Sequence, residues 1–153
     1  MGSGDFSFRV SEQPDEVSIA VSGGIDEASV MEPPPARGRR VVIDADGVSS
    51  INSLGVRAWI VMMEGLVAQG SDVVVRKLPA VLVTQASMIS TFLGNARVES
   101  FKTPWICMSC DASLEQLHGG GDAVPESVQC PKCGQAMELD WDRPSYLAFR
   151  GGR

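Results

Sequence analysis

Apolar and polar residues alternate through Phe6, Phe8 and Val10, and again through Val17, Ile19 and Val21. A period of two marks a strand with one buried face. The turn-forming run SEQPDE between the stretches predicts a hairpin. Gly23-Gly24 is expected to end the second strand. IDEASVM (25–31) then reads as a turn or two of helix, stopped by Pro33-Pro34-Pro35, because proline disfavours helix at and before its position. The three arginines of ARGRR (36–40) read as a solvated basic loop.

From Val41 the pattern changes. VVID (41–44) is an uninterrupted apolar run ending in acid, as in a central strand covered on both faces. Asp46-Gly47 and Ser49-Ser50 are expected to turn the chain. Val56, Trp59, Ile60, Met63 and Val67 recur at helical spacing and predict a core stripe, with Gly70 closing the helix. DVVVRKL (72–78) is a second buried strand, so the stretch forms a βαβ unit with a parallel pair. Pro79 opens a second helix reaching about Leu93. Leu82, Ala86, Ile89 and Leu93 would face inward, and Met88 and Phe92 would widen that stripe. Gly94-Asn95 ends it, and ARVESF (96–101) is a last short strand. The order ββ-(short helix)-βαβαβ predicts an α/β fold with a mixed sheet over residues 5–102.

The turn into the first helix carries candidate chemistry. Asn52 or Ser53 can cap it, a contribution of about 1 kcal/mol. Helix N-termini leave N–H groups unpaired and carry a positive dipole end. A phosphate on the Ser53 hydroxyl would therefore sit in a favourable field. The cap and the phosphorylated switch are both open for this residue.

Composition narrows the choices. The chain has 153 residues, 44% of them hydrophobic, which supplies a core. No apolar run approaches the ~20 residues that span a bilayer. MGSGDFSF has neither a basic n-region nor an apolar h-region, so no signal peptide is expected. Residues 1–103 carry 12 acidic and 9 basic groups, and residues 104–153 carry 7 and 4. Each part is net negative, which disfavours nucleic acid and anionic membranes as partners.

All four cysteines lie between positions 107 and 133. Cys107-x-x-Cys110 and Cys130-x-x-Cys133 are separated by 19 residues. Two residues between thiolates let both face one ion, and two such turns complete a tetrahedral sulfur site. The expected cofactor is one structural zinc, held in a zinc ribbon over residues 104–150. Four protein ligands leave no open position for catalysis. A piece of roughly 45 residues also needs a metal staple to fold. Redox use would want a thioredoxin-like βα context, and disulfides would want an export signal. His118, in His-Gly-Gly-Gly, reads as a loop tip outside the site. Trp105, Trp141, Tyr146 and Phe149 read as a small core or docking face. No Ser-His-Asp set, Walker loop or GxGxxG is present. Asp44 and Asp46 could in principle hold Mg²⁺, but read as a strand-terminal turn. No enzyme is expected.

VVIDADGVSSINSLGVRAWI (41–60) resembles the signature of STAS domains, the fold of bacterial anti-sigma factor antagonists. That signature is an apolar strand ending in acid, then an aspartate-serine-serine-glycine-like turn that opens a helix. The element order over residues 5–102 fits as well. The resemblance implies a cytoplasmic regulatory protein-binding module. Asn52, Ser53, Leu54, Gly55 and Arg57 would dock on a kinase-type anti-sigma factor or related switch protein. Ser53 would be the serine which that kinase phosphorylates to release the antagonist. Asn52 stands where the family usually has aspartate, and Leu54 where it often has a second serine. The alternative is a constitutive scaffold or assembly subunit with Ser53 only a cap. A third class, nucleic-acid binding by the ribbon, is disfavoured by charge.

Overall fold

The computed structural model describes residues 5–150, so the first residues of the segment read for a signal peptide lie outside it. The fold is mixed α/β, built on two sheets. In the first, β1 (Ser7–Glu12), β2 (Glu16–Ile25), β3 (Arg40–Ile51), β4 (Asp72–Arg76) and β5 (Arg97–Val98) stand in chain order. The expected hairpin β1–β2 is antiparallel, and every later pair is parallel. Helix α1 (Ser53–Ala68) joins β3 to β4, and α2 (Ala80–Met88) joins β4 to β5. The second sheet has the order β7-β6-β9-β8, from β6 (Ser100–Ile106), β7 (Ser113–Gly119), β8 (Val128–Gln129) and β9 (Ala136–Leu139). Helix α3 (Arg143–Tyr146) and a 3-10 turn (Leu147–Phe149) follow.

Several local expectations are corrected. First, β2 does not stop at Gly23-Gly24. It pairs on with β3 through Gly23↔Val48, Gly24↔Ser50 and Ile25↔Ile51, across two register shifts. For the same reason β3 passes through Asp46-Gly47 and Ser49-Ser50 without turning. Cross-strand pairing overrides turn propensity there. Second, residues 25–31 form no helix. The Asp26 carboxylate accepts from Ala28 N at 2.9 Å, and Asp26 N donates to Ser29 Oγ at 2.9 Å. These local bonds compete with helix formation.

Third, α1 is rotated relative to the expected stripe. Gly55, Trp59, Met62, Met63 and Leu66 are buried. Val56 and Ile60 are half-buried, and Val67 is exposed. The segment between β2 and β3 explains the rotation, because it runs along α1. Asn52 N donates to Ile25 O at the start of the helix. Pro33 packs on Gly65 in the middle. At the end Gln69 accepts from Ala36 N at 2.6 Å and donates to Pro34 O at 2.8 Å. Fourth, α2 ends at Met88, because Ile89 is extended. Residues 90–95 form turns that bring Phe92 onto Trp59, with stacked rings 5.4 Å apart. Trp59 Nε1 donates to Phe92 O at 3.0 Å. Met88, expected to widen the buried stripe, is 70% exposed.

ARVESF is not one strand either. It divides between β5 and the start of β6, so Thr103-Pro104 lies inside β6. The two sheets share a core. Phe101, Tyr146 and Phe149 belong to the cluster that holds the first sheet and its helices. Ser87 Oγ on α2 donates to Tyr146 O at 2.7 Å and accepts from Phe149 N at 3.1 Å. No helix among the described residues is long and apolar enough to cross a membrane.

Gly55 sets the seat of α1. A Cβ there would lie 2.4 Å from the Ile25 carbonyl oxygen. Glycine-to-alanine exchange inside a helix ordinarily stabilises by about 1 kcal/mol. Gly55→Ala should instead cost about 1–3 kcal/mol, as overpacking does. Urea unfolding checks this, and a stabilised variant would refute the packing described.

Candidate metal centre and the Asn52–Arg57 turn

The two Cys-x-x-Cys segments fold as near copies of each other. Cys107 N donates to Ala112 O, and Asp111 N donates to Cys107 O. Cys130 N donates to Gln135 O, and Gly134 N to Cys130 O. In each copy the residue after the second cysteine takes a positive φ, 61° at Asp111 and 79° at Gly134. Both turns therefore aim two sulfurs the same way. β9 pairs with both β6 and β8 and brings the turns face to face.

The sulfurs of Cys107, Cys110, Cys130 and Cys133 all lie within 4.8 Å of one another. Cys107 and Cys133 sulfurs are 3.5 Å apart, and those of Cys110 and Cys130 3.6 Å. A tetrahedral ion with metal–sulfur bonds near 2.3 Å would set them about 3.8 Å apart. A disulfide would need about 2.05 Å, and all four cysteines are free. The donor set thus fits one metal ion. Cys107 and Cys130 are buried, while Cys110 and Cys133 are exposed.

Backbone N–H groups favour charged sulfur here. The N–H of Cys110, helped by that of Ser109, holds the Cys107 thiol below its ordinary value against burial. The N–H groups of Cys133 and Lys132 bring Cys130 down to about 6, the latter at 3.4 Å from its sulfur. At Cys110 the Ala112 N–H acts the same way. Burial and the neighbouring sulfurs outweigh it and raise that thiol to about 12. Four thiolates this close repel one another, and a divalent ion among them would offset that repulsion.

His118 is not a loop tip. It sits in β7, 8% exposed, opposite Phe101 of β6. Burial lowers its pKa. Its Nε2 lies 2.7 Å from Thr103 Oγ1, and that hydroxyl oxygen accepts from Trp105 Nε1 at 2.8 Å and lies 3.4 Å from Gln116 O. This buried chain was missed by sequence reasoning, because it exists only in the β6–β7 register. Trp105, Tyr146 and Phe149 are core residues, and Trp141 is 51% exposed. Asp44 accepts from Asp46 N, and Asp46 pairs with Lys102.

At the other candidate site Asn52, not Ser53, is the cap. Its Oδ1 accepts from Gly55 N at 2.8 Å, and its Nδ2 donates to Glu27 Oε1 at 3.0 Å. Ser53 is the first residue of α1 and is exposed, as are Leu54 and Arg57. Gly55 is buried beneath them. The turn lies on the first sheet and the cysteine cluster on the second, with α2 in contact with both. Gln85 and Ile89 line a shallow groove with Ser53, and Ser87 meets Tyr146.

Comparison with protein families and with curated proteins returns no match.

Metal removal should act locally. With a chelator, amide exchange should rise sharply over residues 107–137 while β2, β3 and β4 stay protected. Acidification should act in the same direction, because each thiolate that takes a proton is a ligand lost. Uniform loss of protection would show instead that the sheets unfold as one unit.

Proposed function

We propose that the chain is a regulatory protein-binding module of the anti-sigma factor antagonist type, with a STAS-like α/β part and a structural zinc ribbon. Asn52, Ser53, Leu54 and Arg57 form the docking surface for a serine-kinase-type anti-sigma factor or related switch protein, and the buried Gly55 seats the turn beneath them. One observation carries this reading. Asn52 makes the cap bond, which leaves the exposed Ser53 hydroxyl clear of that structural duty. A phosphate on Ser53 would lie by the positive end of α1, with Arg57 one turn on. The helix would tolerate it. A partner buried against Leu54 would not, because up to about two negative charges would enter the contact. The switch therefore acts on binding, with little refolding.

Zinc is the ion of this reading, because four thiolates in two Cys-x-x-Cys turns suit its tetrahedral preference. It is structural, and the protein is a cytoplasmic non-enzyme. Elemental analysis of freshly reduced protein should give about one zinc per chain by the four-ligand argument. A ratio near zero would remove the ribbon from the proposal.

The docking surface is tested with wild type, Ser53→Ala and Ser53→Asp as affinity baits, read by mass spectrometry. A kinase-like protein should be captured by wild type and Ser53→Ala and lost with Ser53→Asp. Equal capture of one partner set by all three would make the protein a constitutive scaffold.

A further inference from the structure

The first sheet has one face that neither helix covers. Both helices bury their apolar residues in the cluster that contains Val41, Ile43, Ala45, Val73 and Val75. Val42 and Val74 point to the opposite face and lie outside that cluster, yet are only 3% and 2% exposed. Parallel strands are ordinarily covered on both faces, and β2 to β5 are parallel.

The open face is charged in a patterned way. Three surface ion pairs frame it: Arg40–Glu16, Arg76–Glu99 and Arg97–Asp72. Arg9 on β1 and Asp44 on β3 have no ion-pair partner among the described residues. Both are in register with Ala20 of β2, one on either side. They therefore stand two strand spacings apart, about 9.6 Å. Between them β2 presents Ser18, Ala20 and Ser22 to this face, all small, with Glu16 only at the start of the strand. The face thus carries four arginines and four carboxylates and is neutral. A nucleic acid or an anionic membrane would want an excess of positive charge. A neutral face with opposite charges flanking a low central strand is complementary to itself.

We propose that this face is an interface between two copies of the chain, related by a two-fold axis along β2. That rotation exchanges the β1 side with the β3 side. It lays Arg9 of each copy over Asp44 of the other. Stacked sheets lie about 10 Å apart, a gap that one extended arginine and one aspartate span together. The small residues of β2 let the sheets approach to that distance. Each copy supplies one arginine and one aspartate, so the contact is closed and isologous.

Sedimentation equilibrium on the full metal-loaded chain at low salt tests this, with circular dichroism confirming that each variant is folded. Wild type should dimerise, and added salt should weaken the dimer. Arg9→Asp and Asp44→Arg should each weaken dimerisation by at least about tenfold, and the double exchange should return it to within about threefold of wild type. A wild-type monomer from micromolar to millimolar concentration overturns the proposal and leaves the face to a different protein. A dimer that the single exchanges do not weaken, or that the double exchange does not restore, places the contact elsewhere and overturns it equally.

Discussion

The two crossovers β3–α1–β4 and β4–α2–β5 step across the sheet in the same direction. Crossovers between parallel strands are right-handed, so both helices must fall on one face. That constraint places the core between β2, β3 and β4 and the two helices. It also puts the Asn52 turn where β3 meets α1, and makes α2 the neighbour of the second sheet. The long β2–β3 connection obeys the same constraint and packs along α1. Its proline run is therefore a packed strut. Pro33 sits on the half-buried Gly65, and Pro34 and Ala36 are tied by the Gln69 side chain.

The second sheet is joined through its interior. Phe101 is in contact with the Phe149 ring, with centroids 5.1 Å apart, and Tyr146 donates to Lys102 O. These residues flank the cysteine cluster in sequence but belong to the main core. A small sheet that cannot bury enough apolar surface alone gains from both ends: the cysteine turns hold one, the α2 contacts the other. Between them runs the buried Trp105–Thr103–His118 chain. It gives three buried polar groups partners, and burial lowers the pKa of the imidazole.

Strand and helix identities in the first sheet, and the cysteine pairing, were legible because period and spacing are local properties. The hairpin, the VVID strand and the DVVVRKL strand needed nothing beyond their own residues. The errors fall where a partner distant in sequence decides. Gly23-Gly24 and Asp46-Gly47 look like turns until each strand is seen to pair with the other. Ile89 to Leu93 keeps helical spacing, but the Trp59 contact with Phe92 wins over it. His118 reads as a loop tip because three glycines follow it, while its burial depends on a strand 15 residues away. The buried face of α1 lies part of a turn from the one its apolar spacing suggests, since the β2–β3 connection covers one flank.

Asn52 shows how such a long-range partner selects a residue. Its amide performs two jobs at once, accepting from Gly55 N and donating to Glu27. An aspartate could do only the first, and would set a like charge against Glu27. The neutral amide ties the 26–29 turn to the start of α1 without that repulsion. It also spares Ser53 from capping, because one cap bond at Gly55 N already holds the helix start. The asparagine at the helix start therefore suits this chain's own Glu27, and the serine beside it is left exposed.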